Sequence, residues 1–245
     1  MGRLKFCAVL TAAALFAAMP AYADSISPTG VKIDTAYNRN TEQLQNLIIS
    51  ADILCGEDAD LLAAYYRGGR LISIKSILDK NDTTDRKLAV TEIGSGGKSV
   101  TLRMHYEQTP DEIKLFLVKK GSIVPLCQSK SLLDEETIGA ANESVIAILK
   151  PGVDELVGKR SEFTAKEKKI IDKIADCAEN AMLLKDKYLL TTEFIYEYFE
   201  SDMREAKQMY DELADQSGFY SKVITGAENV NNLIDYLRIR TYFDV

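Results

Sequence analysis

From Thr164 to Ser217 the chain carries neither proline nor glycine, and this stretch constrains the fold more than any other. It opens on Thr164-Ala-Lys-Glu167, a capping box in which the threonine hydroxyl accepts the Glu167 amide and the carboxylate reaches back. It closes on Gly218, a residue suited to the left-handed conformation that ends helices. Alternating steps of four and three from Ile171 pass through Ala175, Ala178, Met182, Lys185, Leu189, Thr192, Tyr196, Phe199, Met203, Ala206, Tyr210 and Leu213. That is a heptad seam whose only polar members are Lys185 and Thr192. The spacing predicts one long helix over Thr164–Gly218, ~75–80 Å if unbroken. Its weakest point is Leu189-Leu-Thr-Thr192, where β-branched residues lower helix propensity; a break there would give an antiparallel pair.

Residues 1–23 read as an export signal. Arg3 and Lys5 give a basic start, Phe6 to Ala18 is an apolar run, and Ala21-Tyr22-Ala23 is a small-x-small cleavage site. The apolar run is too short to span a bilayer, and no later stretch of the mature chain is long and apolar enough to do so. The expected location is periplasmic or secreted, with the mature chain starting at Asp24.

Loss of Arg3 and Lys5 takes the net charge from −7 to −9, which disfavours nucleic acid as a partner. The charge is uneven: Arg67 to Lys130 holds 12 basic and 7 acidic residues. A basic sheet beside acidic helices accounts for this, and a local anion site on the sheet is the sharper alternative. Three cysteines follow the signal: Cys55, Cys127 and Cys177. In an oxidising compartment the odd count suggests one bridge and one thiol, or three buried thiols. Cys55 and Cys127 lie at predicted element ends and form the expected disulfide, with Cys177 as a core residue. With one histidine and no CxxC pair, no metal site is expected.

Taken in order, residues 24–40 hold Pro28 and Gly30 without periodicity and read as an irregular lead-in. A helix capped by Thr41 is predicted from Leu44, Leu47, Ile48, Ala51 and Leu54, ended by Gly56. A second, with Leu61, Leu62, Ala64 and Tyr65, stops at Gly68-Gly69, giving an antiparallel helix pair. Period two then takes over in Leu71–Leu78, Arg86–Ile93, Lys98–Gln108, Glu112–Lys119 and Ser122–Cys127. Short connections, including a hairpin turn at Gly94-Ser-Gly-Gly97, favour an antiparallel meander of four or five strands. Pro125 makes the fifth an edge or bulged strand. Asp134 caps a helix ending before Pro151-Gly152, and Thr225-Gly-Ala-Glu228 caps a final one with Val230, Leu233, Ile234 and Leu237 as its stripe.

The fold class is therefore α+β. Residues 41–150 hold the helix pair, the meander and the following helix; residues 151–245 form a helical region packed on the sheet as one domain.

Chemistry is weakly signalled. The glycines at 94–97 precede a predicted strand, so they do not make a phosphate loop, which needs a helix start. His105 shares the polar face of a strand with Arg103 and reads as solvated. No GxSxG or SxxK motif occurs, and the acidic clusters lie at predicted helix starts where the dipole accounts for them. Eleven of the 20 Phe and Tyr residues follow Thr164, and Phe194, Tyr196, Tyr198 and Phe199 spread around most of a helix. Phe199 and Tyr196 fall on the seam, whereas Phe194 and Tyr198 share a neighbouring face that continues to Asp202 and Glu205. Two functions are expected. One is a non-enzymatic interaction protein that uses Phe194 and Tyr198 to bind a protein partner or its own copy. The other is a carrier of an apolar or anionic ligand, with Arg103, His105 and Lys114 as contacts. No cofactor is expected in either case.

Overall fold

The computed structural model describes residues 24–35, 46–74, 91–105 and 108–244. The chain forms two units, one of Met1–Val31, Asn46–Tyr106 and Pro110–Thr137, the other of Lys32–Gln45, Glu107–Thr109 and Ile138–Val245. Together they make a mixed fold of helices and antiparallel sheet.

The first unit is built from strands where a helix pair is predicted. Strand β1 (Ser25–Ile33) occupies the expected lead-in and lies at the edge of a sheet, a position that tolerates Pro28. Strand β2 (Asn46–Cys55) replaces the first helix. Leu47, Ile49, Ala51, Ile53 and Cys55 are all buried, while Leu54, a member of the helical stripe, is half exposed. The period is two, and β-branched Ile48, Ile49 and Ile53 favour it. The Thr41 cap and Leu44 lie outside the described residues.

Strand β3 (Ala59–Arg67) replaces the second helix. Ala59, Leu61, Ala63, Ala64 and Tyr65 are buried, so both faces of the strand are covered. An apolar run covered on both faces has no period-two signature to separate it from a helix. Gly68 and Gly69 are a turn rather than a helix stop: Arg67 pairs with Arg70 of β4 (Arg70–Ile74) across them. Their φ values of +57° and +71° are those of a primed hairpin turn, which glycine adopts at little cost.

The remaining strands are β5 (Thr91–Ile93), β6 (Gly96–His105), β7 (Glu112–Lys119) and β8 (Lys130–Ser131). They do not make a single meander. One sheet has the order β1-β2-β6; the other runs β4-β3-β7-β8, with β5 also on β3. Only residues 56–58 separate β2 from β3, and only residues 94–95 separate β5 from β6. Cys55 pairs with Gly96 in one sheet and Ala59 with Ile93 in the other. The glycines at 94–97 therefore form a bend in a continuing antiparallel ribbon, where the sequence predicts a hairpin. Gly96, at φ +108°, makes that bend possible.

Strand β7 matches its prediction. The expected strand at Ser122–Cys127 is a turn with one isolated pairing, Val118 to Pro125. Asp60 holds this turn by accepting the Gly121 amide at 2.7 Å.

The second unit is helical. Asp134 caps α1 (Glu135–Gly158) as predicted, accepting the Thr137 amide at 2.8 Å. The helix does not end before Pro151-Gly152 but runs through them. Proline removes one donor, and Gly152 leaves room for α6 (Glu228–Tyr236), since a Cβ there would sit 2.5 Å from that of Leu233. A 3₁₀ turn (Lys159–Glu162) leads to α2 (Ala165–Leu183), which opens on the predicted Thr164–Glu167 capping box. Helix α6 lacks the predicted Thr225–Glu228 box; its N-cap is Ala227, and Glu155 of α1 accepts the Val230 amide instead. Its predicted stripe of Val230, Leu233, Ile234 and Leu237 is fully buried.

The long helix is broken. After α2 the chain leaves helical geometry and resumes as α3 (Thr192–Tyr198), α4 (Glu200–Asp211) and α5 (Gln216–Ile224), followed by α6 and α7 (Ile239–Phe243). Gly218 is not a stop. It lies in the first turn of α5, where its amide donates to the Asp215 cap at 2.8 Å. The seam nevertheless holds: Ile171, Ala175, Ala178, Leu189, Thr192, Phe199, Met203, Ala206 and Tyr210 are all buried. Helix α2 packs on α4, where Lys173 bridges Asp202 and Glu205 at 2.8 and 2.7 Å.

The break spans residues 184–191, starting before the predicted weak point and taking in its Leu189, Leu190 and Thr191, and side chains from elsewhere hold it. Asn142 of α1, fully buried, donates to the carbonyls of Lys185 and Tyr188 at 2.5 and 2.8 Å. It accepts the Leu190 amide at 2.8 Å, and the Tyr236 hydroxyl donates to the Leu190 carbonyl at 2.7 Å. Buried backbone groups that no helix can satisfy thus find side-chain partners. Asn142→Leu would leave three of them unpaired and should lower the unfolding free energy by about 3 kcal/mol or more. Urea denaturation would show this as a lower midpoint at unchanged slope.

Candidate functional site

Helix α3 presents two different faces. Its start is anchored by Thr191, whose hydroxyl oxygen accepts the Phe194 amide at 3.1 Å and lies 2.5 Å from the Thr109 hydroxyl. From that anchor the outer face projects rings. Phe194 stacks on Tyr188 with centroids 5.0 Å apart, and Tyr198 packs against the two at 5.2 and 6.3 Å. Phe199, buried, supports Tyr198 at 5.0 Å. Tyr198 is 55% exposed, and Leu183, at the end of α2, is 80% exposed. Charges of both signs accompany the rings: Lys185, Asp186, Lys187 and Glu197 are exposed, and the Lys187 ammonium sits 5.0 Å from the Tyr188 centroid.

The inner face holds Ile195 and Glu193, both buried. The nearest cation to Glu193 is Arg238, which stands 4.0 Å away, outside hydrogen-bond reach. Glu193 Oε2 and Arg238 Nε are buried, and neither has a hydrogen-bond partner in the protein. Arg238 has φ +56°, a left-handed conformation uncommon outside glycine. Its guanidinium lies 4.7 Å over the Tyr196 ring, which stacks on Tyr242 at 5.1 Å. Burial raises the Glu193 carboxyl above the ordinary glutamate range; a hydrogen bond from its own backbone amide and then Arg238 offset this in part, and Glu197 adds to it.

The sequence-predicted residues are distributed unevenly. Phe194 and Tyr198 come together as expected, with Tyr188 as a third ring that the sequence reading missed because it lies in the break. Arg103 and His105 are on β6, opposite Ile48 and Asn46 of β2. Lys114 is on β7 of the other sheet, 3.0 Å from Glu112 and 5.0 Å from the Tyr66 ring centroid. The register therefore places Arg103 and His105 on a different sheet from Lys114. Cys55, Cys127 and Cys177 are buried free thiols. Burial pushes Cys177 up to about 12 and raises Cys55 and Cys127, with Asp24 adding to both. Glu193 and Arg238 carried no sequence signal, because a glutamate in a first helical turn reads as dipole complementarity.

Among the described residues no cluster of His, Cys, Asp or Glu could hold a metal ion. Nor is any described helix long and apolar enough to cross a membrane. Compared with protein-family models, curated proteins and solved structures, the chain matches none.

The ring cluster separates stability from surface. Phe199→Ala empties a packed site and should cost ~3–5 kcal/mol. Replacing Phe194 and Tyr198 together by Ser should cost much less in the same thermal or urea melt. Equal losses would make the whole cluster core.

Proposed function

We propose that this chain is an exported, non-enzymatic interaction protein that docks a second protein through Tyr188, Phe194 and Tyr198. The observation that carries the reading is the ring cluster on α3, partly open to solvent around a buried Phe199. Rings in direct contact leave no space between them for a small ligand, which would need a concavity. A lipid surface would favour a rim of basic residues alone. An aromatic centre with charges of both signs around it is what protein interfaces present. The carrier alternative has less support, since Lys114 is engaged by Glu112 and lies on a different sheet from Arg103 and His105.

A benzophenone photocrosslinker at position 198, activated in the producing cell, tests the reading. Adducts of one defined mass should form and should disappear when Phe194 is replaced by Ser. An adduct at twice the protomer mass identifies a second copy; a larger or smaller one identifies another chain. Absence of any adduct that depends on Phe194 would overturn the reading.

Export rests on the basic start, apolar run and cleavage site of residues 1–23. It brings with it a Cys55–Cys127 bridge. Both are buried free thiols of the same unit, which supports their pairing once the compartment is oxidising. Oxidation would pass two electrons and two protons to a disulfide-bearing oxidant, and closing the loop would constrain the unfolded chain by ~4 kcal/mol. Protein recovered outside the cytoplasm should begin at Asp24 and titrate one thiol in denaturant. Three thiols would exclude the bridge, and an intact Met1 would exclude cleavage.

A further inference from the structure

We propose that Glu193 and Arg238 form a proton-operated latch that seats helix α3 when Glu193 is protonated and releases it when Glu193 ionises. The inference does not depend on the ring cluster being a docking surface.

The geometry carries it. Helix α3 has seven residues, too few to be stable by itself, so its seating comes from tertiary contacts. Those contacts include the Thr191 anchor, the buried Ile195, the stack of Tyr196 on Tyr242, whose hydroxyl donates to the Tyr196 carbonyl at 3.5 Å, and the inner-face pair. A buried carboxylate is tolerated when an opposite charge and hydrogen bonds compensate for its lost hydration. Here the cation is 4.0 Å away, Oε2 accepts nothing from the protein, Arg238 Nε donates to nothing, and the carboxylate's own backbone amide is the one donor that favours its charge. The ionised form is therefore badly accommodated in the seated position. The neutral acid costs far less to bury. On losing its proton to solvent, the carboxylate gains most by moving out into water, and α3 moves with it.

The charged groups around the pair agree. Arg238, from the turn between α6 and α7, favours the ionised form but is out of bonding range. Glu197, one turn along α3, opposes it. Glu200 and Arg204 of α4 act on the neighbouring Tyr242 ring but pair with each other at 2.6 Å. Arg238 also holds its backbone in the left-handed region, a strain that persists only where the surroundings impose it.

The sign is fixed by the direction of the shift. A carboxyl raised in the seated state stabilises that state below the ordinary glutamate value and loses this contribution as pH rises through the raised one. Protection of α3 should therefore fall with rising pH, about tenfold for each pH unit between the two values.

Hydrogen–deuterium exchange of the intact chain tests this, following the amides of Ile195 to Phe199 from pH 4 to 8 with intrinsic rates corrected. The wild type should show one transition, more protected on the acid side. Glu193→Gln should remain protected across the range with no transition. Glu197→Gln should move the midpoint down, and Arg238→Gln should move it up. A merely structural role for Glu193 would leave both neighbouring substitutions without effect on a midpoint. A flat wild-type profile, or a transition that persists in Glu193→Gln, overturns the latch. If Glu193→Gln fails to fold, the opposite shifts from Glu197→Gln and Arg238→Gln decide the question.

Discussion

The helical unit depends on what one buried amide does. Asn142 uses both donors and its acceptor on the backbone of residues 185–190, and Tyr236 takes the remaining carbonyl of Leu190. These bonds satisfy backbone groups that are opened when the chain leaves the helix, and buried donors and acceptors such as those of Leu190 are rarely left open. With them the chain can turn, and α4 comes to lie against α2. The buried seam from Ile171 to Tyr210 then closes on itself instead of facing another molecule along a long rod. A side chain 43 to 48 residues earlier thus holds the point at which the expected rod turns back.

Electrostatics plays a supporting part. Among the described residues, three lysines of the basic middle are paired within the first unit: Lys114 with Glu112, Lys119 with Glu57 and Lys120 with Glu92. Exposed pairs of this kind contribute little to stability. More is at stake at Glu167, where burial works against the charge but the Thr164 amide and the Lys222 ammonium together hold the carboxyl below its usual range. One side chain there serves as both a helix cap and a tie between α2 and α5.

The helical half was legible from sequence because its signals are local. Capping at Thr164 and Asp134, the stripe of α6 and the seam all follow from spacing that short-range geometry enforces. The weak point at Leu189–Thr192 was legible too, though not its cause, since Asn142 shows only as a polar residue on an otherwise apolar helix. The N-terminal strands failed for a different reason. Leu47 to Leu54 satisfies helical and strand spacing together, and β3 is covered on both faces, so its apolar run has no period to read. Non-local pairing decided between the two. At the candidate site, Phe194 and Tyr198 could be found by angular position. Tyr188, Glu193 and Arg238 could not, because their meeting depends on the break and on the turn after α6.

The ribbon of β2–β3 against β5–β6 has a consequence for how the first unit comes apart. Both sheets are strung on the same two chain segments, which cross at Gly56 and Gly94-Ser95 with Gly56 tied to Asp24 at 2.6 Å. Unzipping the first sheet at this bend disturbs the register at which β5 meets the start of β3. Because β3 also pairs with β7 and β4, opening the first sheet would loosen the second at Ala59–Leu61 first, and the bend is where the two foldons share stability.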